Sequence, residues 1–125
     1  MNSPSNELMS TLSEYLSLDH LSCYSLPPEA YTDVDLYALE LDAIFRKEWL
    51  CVGRAEYIPA PGDYYCIDIL NESLVVVHGQ DGVIRALSNI CRHRFMPVAQ
   101  GSGNTKRFVC PYHAWTYETD GSLYA

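Results

Sequence analysis

Residues 91–115, CRHRFMPVAQGSGNTKRFVCPYHAW, hold a Cys-x-His pair, sixteen intervening residues and then a Cys-x-x-His pair. This doubled pairing of a thiol with an imidazole constrains the fold more than any other feature, because two separate loops must meet for both pairs to act together. Three chemistries use these residue types: a structural zinc site, a Cys–His catalytic pair, and an iron–sulfur cluster with unlike ends. Finger-type zinc spacing groups cysteines with cysteines and histidines with histidines, whereas here they alternate. A catalytic pair would use one cysteine and leave its duplicate idle. A [2Fe–2S] cluster takes four protein ligands, two per iron. One Cys and one His on each loop then give one iron both thiolates, from Cys91 and Cys110, and the other both imidazoles, from His93 and His113.

Charge arithmetic explains the advantage of unlike ends. Two ferric ions, two sulfides and two thiolates sum to zero, and one added electron leaves −1; four thiolates would give −2 and −3. Less negative charge makes the electron easier to add, which places such centres at roughly −150 mV or above, against about −400 mV for all-Cys plant-type clusters. The surroundings act in the same direction. The chain carries a formal net charge of −8, which argues against a nucleic-acid partner. Yet no Asp or Glu lies between Gly82 and Tyr117, and five of the eight bases, Arg85, Arg92, Arg94, Lys106 and Arg107, fall there. Arg92, Arg94 and the Lys106–Arg107 pair are expected to favour the reduced form wherever they lie near the site.

The 125 residues, 48% of them hydrophobic, suffice for one compact domain. There is no run of eighteen apolar residues, and MNSPSNELMS lacks the basic flank and apolar stretch of a secretory signal. A cytoplasmic location without membrane association is therefore expected. Five cysteines, an odd number, argue against a disulfide framework, and Cys23, Cys51 and Cys66 are expected as buried or half-buried small side chains.

Residues 5–17 place Leu8, Leu12, Tyr15 and Leu16 on one side of a short amphipathic helix. After the Pro27–Pro28 break, Thr32 or Asp33 can cap a second helix running to Arg46. Its stripe of Val34, Tyr37, Leu41, Ile44 and Phe45 is expected to face a sheet. From Trp49 onward, WLCVG, YYCIDIL, SLVVVH and VIRALSN read as strands of an antiparallel meander, with connections too short for helical crossovers. GSGN reads as a glycine-rich turn, KRFV as a short strand and AWTYETDGSL as a hairpin-like run. Met96 is expected to fill space under the first loop, and Tyr112 and Trp115 to shield the site. His20 and His78 are expected as ordinary surface or half-buried histidines.

Cys91-Arg92-His93-Arg94 and Cys110-Pro111-Tyr112-His113-Ala114-Trp115 together resemble the Rieske motif, and most closely that of the large (α) subunit of Rieske non-haem iron, ring-hydroxylating oxygenases. Rieske proteins of the cytochrome bc type carry an extra cysteine in each loop, where Met96 and Tyr112 stand here. The segments YALELDAIFRKEWLCVGR and PGDYYCIDILNESLVVVHGQDGVIRALSNICRHR also resemble those subunits, so that the likeness covers residues 35–124.

This resemblance implies a mainly β fold with N-terminal helices: a helical extension over residues 1–47 and, over 48–125, a Rieske-type antiparallel β-sandwich with two cluster-binding loops, truncated at its C-terminus. It implies a [2Fe–2S] cluster on Cys91, His93, Cys110 and His113. Electrons would come from a reductase or ferredoxin and pass to a mononuclear Fe(II) held in a following domain, within a homo-oligomer, usually a trimer. No catalytic residue is expected in this chain itself. The alternative is a stand-alone Rieske-type ferredoxin, against which the long N-terminal extension speaks.

Overall fold

The computed structural model describes residues 4–22 and 24–125, so Cys23 lies outside the described residues. Two compact units form, Met1–Leu50 and Cys51–Ala125. In the first, helix α1 spans Asn6–Tyr15, and Ser5 caps it by accepting the Leu8 N–H at 3.1 Å. Leu8 is buried as expected, whereas Leu16 falls at the helix end and is exposed. A 3₁₀ turn at Pro28–Tyr31 follows the proline pair, and Asp33 caps α2, Val34–Glu40, through the Leu36 N–H at 2.7 Å.

Beyond α2 the backbone widens into a π-turn, Leu41–Phe45, closed by Arg46 N–H donating to Leu41 O at 3.0 Å. The extra residue in that turn shifts the helical phase by about 100°, so the expected stripe does not form one buried face. Leu36 is the buried residue, at 6% exposure, while Val34 stands 76% exposed and Tyr37 is exposed as well.

In the second unit, strands β1 (Asp63–Ile69), β2 (Glu72–His78) and β3 (Ile84–Ser88) form the expected antiparallel meander. The turn between β1 and β2 has only Leu70 and Asn71 at its centre, both with positive φ (54° and 67°). That is the twist a two-residue hairpin requires. GSGN is not merely a turn: Ser102–Asn104 forms β4 and pairs with the outer edge of β1, giving the order β3-β2-β1-β4. Gly103 lies opposite Tyr64, whose ring occupies the space a side chain would need, and Asn104 locks the register by donating to Asp63 Oδ1 at 2.8 Å.

With that edge of β1 taken by β4, WLCVG does not join the sheet as a strand. Trp49 is 99% exposed, and in the second unit the Tyr65 hydroxyl donates to Val52 O at 3.0 Å from β1. The chain then makes a 3₁₀ turn at Ala55–Tyr57, and Ile58, fully buried, accepts a hydrogen bond from His78 Nδ1 at 2.9 Å.

Strands β5 (Arg107–Val109) and β6 (Thr116–Glu118) make a second, two-stranded sheet. Between the two sheets lies the core: Val75 and Val77 of β2, Ala99 and Phe108, with Tyr64, Cys66, Leu87, Val98 and Tyr117 against them. Tyr64 meets Phe108 edge to face at 5.3 Å, a favoured aromatic arrangement. This antiparallel two-layer architecture is the expected one, and its second sheet holds one of the ligand loops out beyond the core.

Candidate metal centre

Loop 1 leaves β3 and is pinched at its base by a bridge between Ile90 and Pro97; loop 2 connects β5 to β6 above the Val109–Thr116 pair. Their backbones repeat one design. Cys91 N–H donates to Met96 O (2.8 Å) and Phe95 N–H to Cys91 O (2.9 Å). In loop 2, Cys110 N–H donates to Trp115 O (2.8 Å) and Ala114 N–H to Cys110 O (3.0 Å). The fourth residue after each cysteine is left-handed, Phe95 at φ 57° and Ala114 at φ 60°. The same turn is thus built twice, with the histidine two residues after the cysteine in one copy and three after it in the other.

This turn separates the two donor types. Cys91 and Cys110 are 1% and 3% exposed, and both are free thiols, while His93 and His113 lie at the surface. The histidine rings meet at 4.7 Å between centroids, inclined at 62°. Trp115 lies flat against His93 (4.9 Å, 8° between planes), and Tyr112 covers His113 at 3.8 Å. Both aromatic residues do contact the ligand candidates as expected, although Tyr112 is itself exposed.

Two residues that the motif does not reveal organise the loops. Asn89, buried two residues before Cys91, accepts from Val98 N–H (3.1 Å) and Ala99 N–H (2.9 Å). Its amide donates to Ala99 O (3.0 Å) and to Ser73 Oγ (3.3 Å). It ties the two ends of loop 1 to each other and to the sheet. Tyr117, on β6, reaches across from the other loop: its hydroxyl accepts the Arg92 N–H at 3.0 Å and lies 3.3 Å from Cys91 Sγ. Once the sulfur is a thiolate, with no proton to give, the phenolic hydroxyl is the donor of this hydrogen bond. The available sequence signals were a polar residue bordering the loop and a tyrosine two residues past Trp115, on the same side of a strand.

Burial by itself raises the Cys91 thiol pKa, but hydrogen bonds from Tyr117, the His93 and Arg94 amides and Cys110 outweigh it and bring the pKa below the usual thiol value. Burial and the contact with Cys91 push the Tyr117 hydroxyl up. Cys91 is therefore held in surroundings that favour a thiolate. Among the described residues, no three His, Cys, Asp or Glu side chains gather as one metal ion would require. The donors instead come as an inner thiol pair and an outer imidazole pair, a division that suits two metal atoms better than one tetrahedral zinc.

Other expectations change in three dimensions. Arg107 is engaged by Glu118 at 2.8 Å and lies over the Tyr124 ring. Lys106 sits at the far end of β5, roughly 13 Å of extended chain from Cys110. The cations on the loops themselves are Arg92 and Arg94. Met96 is exposed and contributes its carbonyl, not packing beneath the loop. Cys51 is exposed, contrary to expectation, because the WLCVG run stays outside the sheet; Cys66 is half-buried as expected. His20 is exposed and His78 half-buried.

Residues 48–125 match the family model described as the Rieske [2Fe-2S] domain. The chain is 46% identical over 101 residues to the glycine betaine monooxygenase oxygenase subunit of Chromohalobacter salexigens, covering 80% of this chain and 23% of that protein. It is 42% identical over 99 residues to the benzene 1,2-dioxygenase α subunit of Pseudomonas putida, covering 78% and 22%. Among solved structures, naphthalene 1,2-dioxygenase from Rhodococcus sp. aligns with a TM-score of 0.82 at 38% identity, over 97% of this chain and 28% of that one. A quaternary ammonium Rieske monooxygenase in complex with L-carnitine aligns at 0.77 and 38%, over 82% and 30%. The chain spans about a quarter of the length of these relatives.

Proposed function

Because the chain belongs to the Rieske [2Fe–2S] domain family through residues 48–125, we propose that Cys91 and Cys110 hold one iron of such a cluster and His93 and His113 the other. The observation that carries this reading is the twice-built turn that buries both thiols and leaves both imidazoles at the surface. The cluster would supply a one-electron store at a potential raised by its neutral ligands.

The remaining work falls to the chain's own side chains. Tyr117 and the loop amides aim hydrogen at the Cys91 sulfur and offset its negative charge. Trp115 and Tyr112 hold the imidazole planes and keep water from one face of each ring. Asn89 keeps loop 1 in the conformation that brings His93 to His113. Exposed imidazoles make the histidine edge the side through which electrons enter and leave.

In this reading, residues 48–125 form the electron-transfer domain of an oxygenase large subunit and residues 1–47 its helical extension. It takes electrons from a reductase or ferredoxin and passes them to a mononuclear non-haem iron outside these residues, where an organic substrate is oxygenated with O2. The subunit works as a homo-oligomer, with a trimer as the expected form, in the reducing cytoplasm. Among the described residues, no helix is long and apolar enough to cross a membrane.

Iron and acid-labile sulfide analysis tests the assignment. The reading predicts two of each per chain, lost in both Cys91→Ala and Cys110→Ala. One zinc per chain in place of iron and sulfide would overturn it.

A further inference from the structure

The charge of the chain is unevenly divided. Residues 1–50 carry nine acids against two bases and residues 51–125 seven against six, so nearly all of the net −8 resides on the helical unit. On that unit the turn Pro28–Tyr31 and helix α2 border a recess of about 440 Å³. That volume falls within the ~300–1,000 Å³ of small-molecule sites.

The wall on α2 holds Asp33, Tyr37 and Glu40, four and three residues apart and therefore on one face of the helix. Leu26, Tyr31 and Val34 add aromatic and aliphatic surface. Tyr31 and Tyr37 are 70% and 58% exposed, so neither ring is consumed by a core. Asp33 gives one carboxylate oxygen to the Leu36 N–H at 2.7 Å. Glu40 is half-buried yet makes no hydrogen bond or ion pair among the described residues. Among those residues no Lys, Arg or His lines the recess, and Arg46, the nearest base in sequence, is held by Asp42 at 2.8 Å. Two carboxylates without a basic partner set a negative potential, and two phenol rings offer faces that attract cations. A bare metal ion needs more oxygen donors than this, and no group of three candidate ligands occurs among the described residues.

We propose that this recess binds a small quaternary ammonium cation, with its methylated head group against Tyr31 and Tyr37 and its charge offset by Glu40 and Asp33. The absence of N–H groups selects this class. A primary ammonium leaves donors unpaired when the apolar wall strips its water, whereas methyl groups suit Leu26 and Val34. Binding is reversible and involves no covalent or redox step. The site lies wholly within the first unit and does not rest on the reading of the two loops as a cluster site.

The test uses the full chain with ¹³C-labelled tyrosine rings, followed by NMR. Choline is the probe, and 3,3-dimethylbutan-1-ol, its uncharged analogue of the same shape, is the control. Choline should shift the ring signals of Tyr31 and Tyr37, identified by their loss in Tyr31→Leu and Tyr37→Leu, saturably and less strongly as salt rises. Tyr37→Leu and Glu40→Gln should each raise the dissociation constant about two- to fivefold. Glu14→Gln, on α1 outside the recess, should leave it unchanged. The remaining tyrosine signals report that each variant keeps its fold. Equal binding of the uncharged analogue overturns the proposal, because the recess would then be merely apolar. So does a Glu14→Gln variant weakened as much as Glu40→Gln, because the attraction would then be diffuse. Self-association of the chain that Tyr37→Leu abolishes also overturns it, since the occupant would then be a second copy.

Discussion

Replacing Tyr117 with phenylalanine removes one oxygen and leaves the ring against the core, on the strand residue paired with Phe108. The hydroxyl accepts the Arg92 N–H at 3.0 Å and lies 3.3 Å from Cys91 Sγ, to which it donates when the sulfur is a metal-binding thiolate with no proton of its own. A hydrogen bond to sulfur strengthens when the added electron makes the site more negative, and the bond therefore favours the reduced form. Hydrogen bonds to charged acceptors exceed those to neutral ones by about five- to tenfold in equilibrium terms. At 59 mV per tenfold for a one-electron couple, Tyr117→Phe should lower the midpoint potential by ~40–60 mV. An EPR-monitored redox titration of wild type and variant measures this directly, with unchanged iron content as the control for an intact site. A potential that stays the same or rises would refute the assignment of the phenolic proton to the sulfur.

Replacing Asn89 with leucine deprives the buried Ala99 amide of its acceptor and leaves the Val98 N–H with the backbone carbonyl of residue 89 alone, at about 1–3 kcal/mol. Urea unfolding should show the loss of stability, and iron retention should fall with it. At the β1–β2 turn, Leu70→Asn places a residue tolerant of left-handed φ where leucine now stands, and should raise unfolding stability by about 1 kcal/mol. Asp63 is held below the usual carboxylate pKa, first by Asn104 and then by the Ala60 amide. Because the folded-state value is depressed, its stabilisation is present above the unfolded value and is lost as pH falls through the folded one. Thermal midpoints of Asp63→Asn should therefore fall less steeply than wild type below the ordinary value of 3.8.

The ligand loops were legible because four residues with restricted chemistry stand at fixed spacing, and β1, β2 and β3 because β-branched and aromatic runs alternate with turn residues. What escaped the sequence depended on partners. WLCVG has the composition of a strand, but the edge of β1 is taken by Ser102–Asn104, whose glycine is tolerated because the Tyr64 ring covers it. The stripe on α2 was read at a constant 3.6-residue period, which the π-turn at Leu41–Phe45 breaks. Tyr117 acts across 26 residues, in a contact that exists only once both sheets are in place, and Asn89 across 10, in contacts that exist only once loop 1 has folded back on itself. The basic island, continuous in sequence, is divided by the fold into Arg85 and Arg107, paired with carboxylates, and Arg92 and Arg94, which have no carboxylate partner among the described residues.

The central claim is that two imidazoles hold one iron while two thiolates hold the other. Pulsed EPR of the reduced chain, in protein with natural and with ¹⁵N-labelled histidine, tests this most directly. The account predicts nitrogen couplings from two histidines that change with the label, one set vanishing in His93→Ala and the other in His113→Ala. A cluster signal without histidine nitrogen couplings would contradict it.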